Sequence, residues 1–82
     1  MKVYVKMFPF PGISEASREM EFELREGNLN ELLTCLQKEA GADPLPLDML
    51  MFLRNGHGLD IHENPQFSDG DHLWVLPQIS GG

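Results

Sequence analysis

The sequence predicts an α+β domain, a mixed sheet of four to five strands with one main helix packed on one face. Three observations carry that expectation. The stretch EMEFELR (19–25) alternates strictly, with Met20, Phe22 and Leu24 on one side and Glu19, Glu21, Glu23 and Arg25 on the other. That is the pattern of an antiparallel strand with one wet face. The period then changes: Leu29, Leu32, Leu33, Leu36 and Ala40 fall on one stripe at helical spacing. Finally, MLMFLR (49–54) and HLWVLP (72–77) are short segments with apolar residues at both parities, as in well-covered strands.

Taken in chain order, KVYVKMF (2–8) reads as the first strand, with Val3, Val5 and Met7 on one face and Tyr4, Lys6 and Phe8 on the other. PFPGISEAS (9–17) holds two prolines, a glycine and two serines and is a loop. The second strand, 19–25, leads to a helix of about 12 residues. Asn28 is placed to cap it, with Glu31 three residues on as in a capping box. Gly41 sits where a left-handed C-terminal cap belongs, and Lys38 suits the helix dipole at that end. DPLPLD (43–48) links the helix to the next strand, because its two prolines cannot lie inside a sheet. After MLMFLR comes a turn, NGHG (55–58), then LDIHE (59–63), which could form a short strand. SDGD (68–71) is a second tight turn, and HLWVLP is the last strand. A ββα unit followed by strands becomes a β-grasp if the first and last strands pair in parallel at the sheet centre. The local signals also permit a ferredoxin-like sheet missing a helix.

Composition narrows the function. The chain has 82 residues, enough for one domain with a small core. Its 6 basic and 13 acidic side chains give a formal charge of −7. Nucleic acid is thereby a poor partner, since phosphate neutralisation by clustered Lys and Arg supplies most of that affinity. The charge suits a partner with a basic surface. Cys35 is the single cysteine, so an intrachain disulfide is impossible, and it reads as a half-buried filler of the helix. His57, His62 and His72 lack metal-ligand spacing, and no metal site is expected. The longest apolar run, MLMFL (49–53), is too short to span a bilayer. The N-terminal segment, broken by Lys6, does not resemble a signal peptide, so a cytoplasmic location away from membranes is expected.

The C-terminal third carries a resemblance. Asn55-Gly56, Asp69-Gly70-Asp71, the strand Leu73 to Leu76 and a final Gly81-Gly82 together resemble the ubiquitin-like sulfur carriers. That family includes the small subunit of molybdopterin synthase and the thiamine-pathway carrier. Chain length and Pro77 are closer to the molybdopterin branch, whereas FPFPG in the first loop, and Gln78 where that branch has a second proline, depart from it. The resemblance implies a β-grasp domain over 1–77 and a flexible tail over 78–82. It also implies that an adenylating activator of the ubiquitin-activating type uses ATP to adenylate the carboxylate of Gly82. Sulfur then replaces AMP to give a thiocarboxylate. The carrier binds no cofactor itself and is not catalytic alone. It donates sulfur as a subunit of a heteromeric sulfurtransferase, its tail inserting into the molybdopterin synthase large subunit, where the pterin precursor accepts the sulfur in molybdenum cofactor biosynthesis.

Glycine, lacking Cβ, allows Gly81 and Gly82 to enter a channel too narrow for other residues, with Ser80 and Ile79 following. Because one helix covers only one face of a small sheet, Phe52, Leu59, Trp74 and Leu76 are candidates for an exposed docking patch. Three alternatives remain open: a carrier for thiamine, tungsten-cofactor or tRNA thiolation; a ubiquitin-like modifier joined through Gly82 to lysine; and an interaction module with an inert terminus. Frayed, glycine-rich ends are common, and the last of these rests on that fact.

Overall fold

The computed structural model describes residues 1–42 and 44–78. Five strands form one sheet: β1 Lys2–Met7, β2 Arg18–Glu23, β3 Leu50–Arg54, β4 His57–Gly58 and β5 His72–Pro77, with the helix α1 Leu29–Ala40 between β2 and β3. Their order is β2-β1-β5-β3-β4. β1 and β5 run parallel at the centre and the other pairs are antiparallel. A parallel pair needs a long crossover, which α1 and the second half of the sheet supply. This is the β-grasp, and the central parallel pair excludes the ferredoxin-like arrangement.

Alternation decides which side chains meet the helix. Val3, Val5 and Met7 of β1, Phe22 of β2, Leu50 and Phe52 of β3, and Leu73 and Val75 of β5 are buried with Leu32 and Leu36 of α1. Leu24, Leu45 and Phe67 close the ends of this core. Cys35 is half-buried against it, as its place on the helix predicts.

The helix caps follow the sequence with one difference. The Asn28 side chain accepts from the Glu31 amide at 2.8 Å, and Gly41 takes the left-handed conformation, φ 68°, donating to the Gln37 carbonyl. Gly41 has no Cβ to strain at that angle, which is why helices end so often on glycine. A capping box would turn Glu31 back to the Asn28 amide. Instead its carboxylate accepts from the amides of Arg25, Gly27 and Glu26, at 2.7, 2.9 and 3.0 Å. Glu31 thus ties the incoming loop to the helix. The bond from the Arg25 amide leads in holding its pKa below the ordinary glutamate range, helped by the other two amides and opposed by partial desolvation.

A second difference lies after β3. The short strand expected within 59–63 forms two residues earlier, at His57–Gly58. Asn55 and Gly56 both have positive φ, 51° and 85°. Such a pair closes a two-residue hairpin at once, which sets Arg54 opposite His57. Residues 61–63 turn instead into a 3-10 segment, where Asp60 accepts from the His62 amide at 2.8 Å.

The same asparagine fastens β5. Asn55 Oδ1 accepts from the His72 amide at 2.9 Å, its own amide donates to the His72 carbonyl at 2.8 Å, and its Nδ2 donates to Asp71 at 3.2 Å. Asp71, 9% exposed, also accepts from the Ser68 amide at 2.9 Å. Asp69 accepts from the Lys2 amide at 2.7 Å, and the Gly70 amide donates to the Lys2 carbonyl at 2.7 Å. The Asn-Gly and Asp-Gly-Asp turns are therefore one clasp, which holds the start of β5 between β1 and β3.

Candidate functional site

Among the described residues nothing covers the face of the sheet away from α1, and register assembles its rows. Glu19, Lys6, Trp74 and Leu53 lie side by side across β2, β1, β5 and β3. Glu21, Tyr4 and His72 form the next row, and Leu76 faces Met51. One half of this face is charged and the other apolar. Trp74 is 45% and Met51 40% exposed, large values for side chains of that kind. Phe8 meets Trp74 edge-on, with centroids 5.3 Å apart, while the Lys6 ammonium sits 5.1 Å from the Phe8 ring. Tyr4 and His72 stack at 4.9 Å. A shallow depression of about 440 Å³ runs between the halves, bounded by Tyr4, Lys6, Glu19, Glu21, His72 and Trp74.

Of the four residues expected to dock a partner, Trp74 and Leu76 lie on this open face. Phe52 does not. It is 2% exposed in the core, because its parity on β3 points it at α1. Leu59 is half-buried against the core, its amide bonded to the Phe52 carbonyl at 2.9 Å, so it supports the fold. The residues that share the face with Trp74 and Leu76 are Met51 and Leu53, their cross-strand partners. MLMFLR is apolar at both parities, so only the pairing with β5 selects Met51 and Leu53 over Phe52.

The apolar strip continues to the end of the sheet where the C-terminal segment departs. The Phe8 amide donates to the Val75 carbonyl at 2.8 Å, and the Gln78 amide to the Met49 carbonyl at 2.9 Å. Gln78, assigned to the tail from sequence, is thus still bonded to its neighbour. Ile79, Ser80, Gly81 and Gly82, expected to form the inserting end, lie outside the described residues. Among the described residues, no three of the His, Cys, Asp and Glu side chains come together as a metal site would require. Nor is any described helix long and apolar enough to cross a membrane.

Comparison with known proteins gives consistent neighbours. Subunit 1 of the molybdopterin-converting factor from Helicobacter pylori 26695, solved in complex with subunit 2, matches over 100% of both chains at 30% identity and a TM-score of 0.61. SAMP1 from Haloferax volcanii matches over 100% of both chains at 21% identity and a TM-score of 0.75. A ubiquitin-like protein from the archaeon Caldiarchaeum subterraneum matches at 18% identity and 0.51, over 99% of this chain and 100% of that one. The two less similar sequences support the fold. No protein-family model matches the sequence, and no curated protein does.

Proposed function

Since the chain belongs to the family of ubiquitin-like sulfur carriers that includes the small subunit of the molybdopterin-converting factor, we propose that it carries sulfur on the carboxylate of Gly82. In this reading an adenylating activator joins that carboxylate to AMP, displacing pyrophosphate from ATP. Hydrosulfide attacks the acyl carbon, AMP leaves with the electron pair of the broken C–O bond, the S–H proton is lost to solvent, and the terminus becomes a thiocarboxylate. The protein binds no cofactor and supplies the cargo, while a large partner subunit supplies the pocket and acid–base groups. That partner is the molybdopterin synthase large subunit, in a cytoplasmic assembly, where a pterin precursor accepts the sulfur; the H. pylori neighbour, solved in complex with its subunit 2, supports a partner of this kind.

One observation carries this reading: an apolar strip, Trp74 and Met51 exposed and Leu76 half-buried beside them, leads on an otherwise acidic molecule to the strand end from which Gly81-Gly82 follows. A carrier needs both parts. Ordering an arm in a channel costs roughly 1–2 kcal/mol per residue, so affinity must come from a docking face beside it.

The test is the intact mass of protein incubated with the activator encoded in the same genome, ATP and a sulfur source. The expected product has one oxygen replaced by sulfur, and deletion of Gly82 abolishes it with the melting temperature unchanged. An unmodified wild-type mass overturns the reading. Conjugates carrying a Gly-Gly branch on lysine would point instead to a ubiquitin-like modifier.

A further inference from the structure

The two outer edges of the sheet differ. β4, on one side, is 2 residues long and offers little backbone for pairing. β2, on the other, runs for 6 residues without proline, in one-to-one register with β1 and so without a bulge. Hydrogen bonds fix which of its backbone groups look outward. Next to the strand, the Leu24 amide donates to the Met1 carbonyl at 2.8 Å. Bonded pairs alternate along an antiparallel ladder, so Phe22, Met20 and Arg18 also turn their backbone groups to β1. Glu19, Glu21 and Glu23 turn theirs outward, and among the described residues these amides and carbonyls have no partner. Tyr4, opposite Glu21, agrees: its amide donates to the Asp71 carbonyl, on the β5 side, at 2.9 Å. The edge is also braced, since Arg18 donates to the Glu39 carbonyl of α1 at 3.0 Å.

We propose that this edge takes up an extended segment of another protein as an added antiparallel strand, with Lys or Arg at alternate positions. Antiparallel pairing lets each glutamate exchange both backbone bonds with the residue opposite it. Charge selects the occupant. All three outward-bonding residues are glutamates on the open face, so the side chains set opposite them share that face. β1 already places Lys6 opposite Glu19 and Lys2 opposite Glu23, and a basic strand continues those rows with alternating sign. Lys2 pairs with Glu21 at 3.7 Å and the N-terminal ammonium with Glu23 at 3.2 Å, yet both carboxylates stay mostly exposed and open to a second cation. A second copy of this chain is the wrong occupant. Two β2 edges would set glutamate against glutamate in every row, between molecules of charge −7. The intervening side chains of the segment fall on the helix side, beside the half-buried Met20, where apolar ones fit. Main-chain bonds give such a strand its affinity and alternate side chains its specificity. β1 separates this edge from β5, so the surface is distinct from the apolar strip and does not rest on the carrier reading.

The experiment titrates the folded protein with an end-blocked hexapeptide of alternating Lys and Val and follows amide hydrogen exchange by NMR. Without peptide, Glu19, Glu21 and Glu23 should exchange fast, and Met20 and Phe22 slowly. Peptide at ten times its Kd should slow the three glutamate amides about tenfold, because only the unbound fraction exchanges. Glu21→Lys should weaken binding about fivefold, the scale of exposed charge pairs, with the melting temperature unchanged. The same peptide N-methylated at its lysines keeps the charge, loses the main-chain donors and should protect none of these amides. Unprotected glutamate amides at millimolar peptide overturn the proposal. Equal protection by the N-methylated peptide, or wild-type affinity in Glu21→Lys, overturns it too. Protection that grows with protein concentration alone would assign the edge to a second copy instead.

Discussion

The two faces of the sheet are made from alternate residues of the same strands, yet they do opposite work. On β3 and β5, Phe52 and Val75 are opposite one another and wholly interior, whereas their neighbours Leu53 and Trp74 are opposite one another and look outward. The inner face buries its apolar surface under α1 and so stabilises the fold. The outer face leaves Trp74 and Met51 exposed at 45% and 40%, a state that adds little stability and that suits the proposed docking of a partner. Apolar character therefore does not separate the core from the open face in this molecule; parity does.

The largest effect should come from reversing those roles in pairs. Phe52→Ala removes a buried aromatic and is expected to cost ~3–5 kcal/mol in urea unfolding, with the cavity adding to the lost transfer energy. Trp74→Ala loses its edge contact with Phe8 and should cost about 1 kcal/mol or less. In calorimetric titration with the proposed activator the order is expected to invert. Trp74→Ala should weaken binding by roughly 30-fold or more, as a central aromatic anchor does. The folded fraction of Phe52→Ala should bind as wild type does. Equal stability losses in the two variants would show that the faces are not divided as their burial suggests.

The elements were legible in the sequence because each has a local cause. Asn28 and Gly41 bound the helix through side-chain and backbone geometry that no tertiary contact alters. EMEFELR shows its period directly because one face is acidic. The outer face was only half legible. Trp74 and Leu76 could be chosen by exclusion, but Phe52 and Leu53 are both apolar, and nothing local states which of them shares a face with Trp74. That depends on the β3–β5 register, a contact between residues some twenty positions apart. The early start of β4 is hidden for a related reason: NGHG reads as a four-residue turn, whereas positive φ at both Asn55 and Gly56 closes the hairpin in two. Likewise the Asp-Gly-Asp turn gave no hint, as a sequence, that its partner would be Asn55.

That clasp joins the two faces, since a one-residue slip of β5 would exchange their side chains completely. Asp71→Ala removes acceptors for the Ser68 amide and the Asn55 side chain and deletes the carboxylate 3.9 Å from the Arg54 guanidinium. Leaving those donors unsatisfied at a largely buried site should cost about 1–3 kcal/mol. Hydrogen exchange should locate the change, with protection of the β5 amides falling before that of the α1 amides. Activator binding should weaken as well, because Trp74 and Leu76 are presented through this register. Loss of stability with no added exchange at β5 would mean that the turn holds itself and not the strand.

The smallest effect tests the inner face alone. Glu31 stands at the start of α1 with three loop amides on its carboxylate, and its pKa is lowered in the folded protein. A lowered folded pKa means that the ionised form is favoured by folding. Its stabilisation is therefore fully present above the unfolded-chain value, near about 4.3, and is lost as pH falls through the folded value. Glu31→Gln keeps the size of the side chain but replaces the ionised acceptor with a neutral amide. The variant should melt below wild type at pH 7, and the gap between them should narrow toward zero as pH drops below about 4. Binding to the activator at pH 7 should not change, because Glu31 lies at the helix and the open face is on the other side of the sheet. A gap that persists undiminished in acid would assign the effect to lost packing rather than to the charge-assisted bonds that tie the loop to the helix.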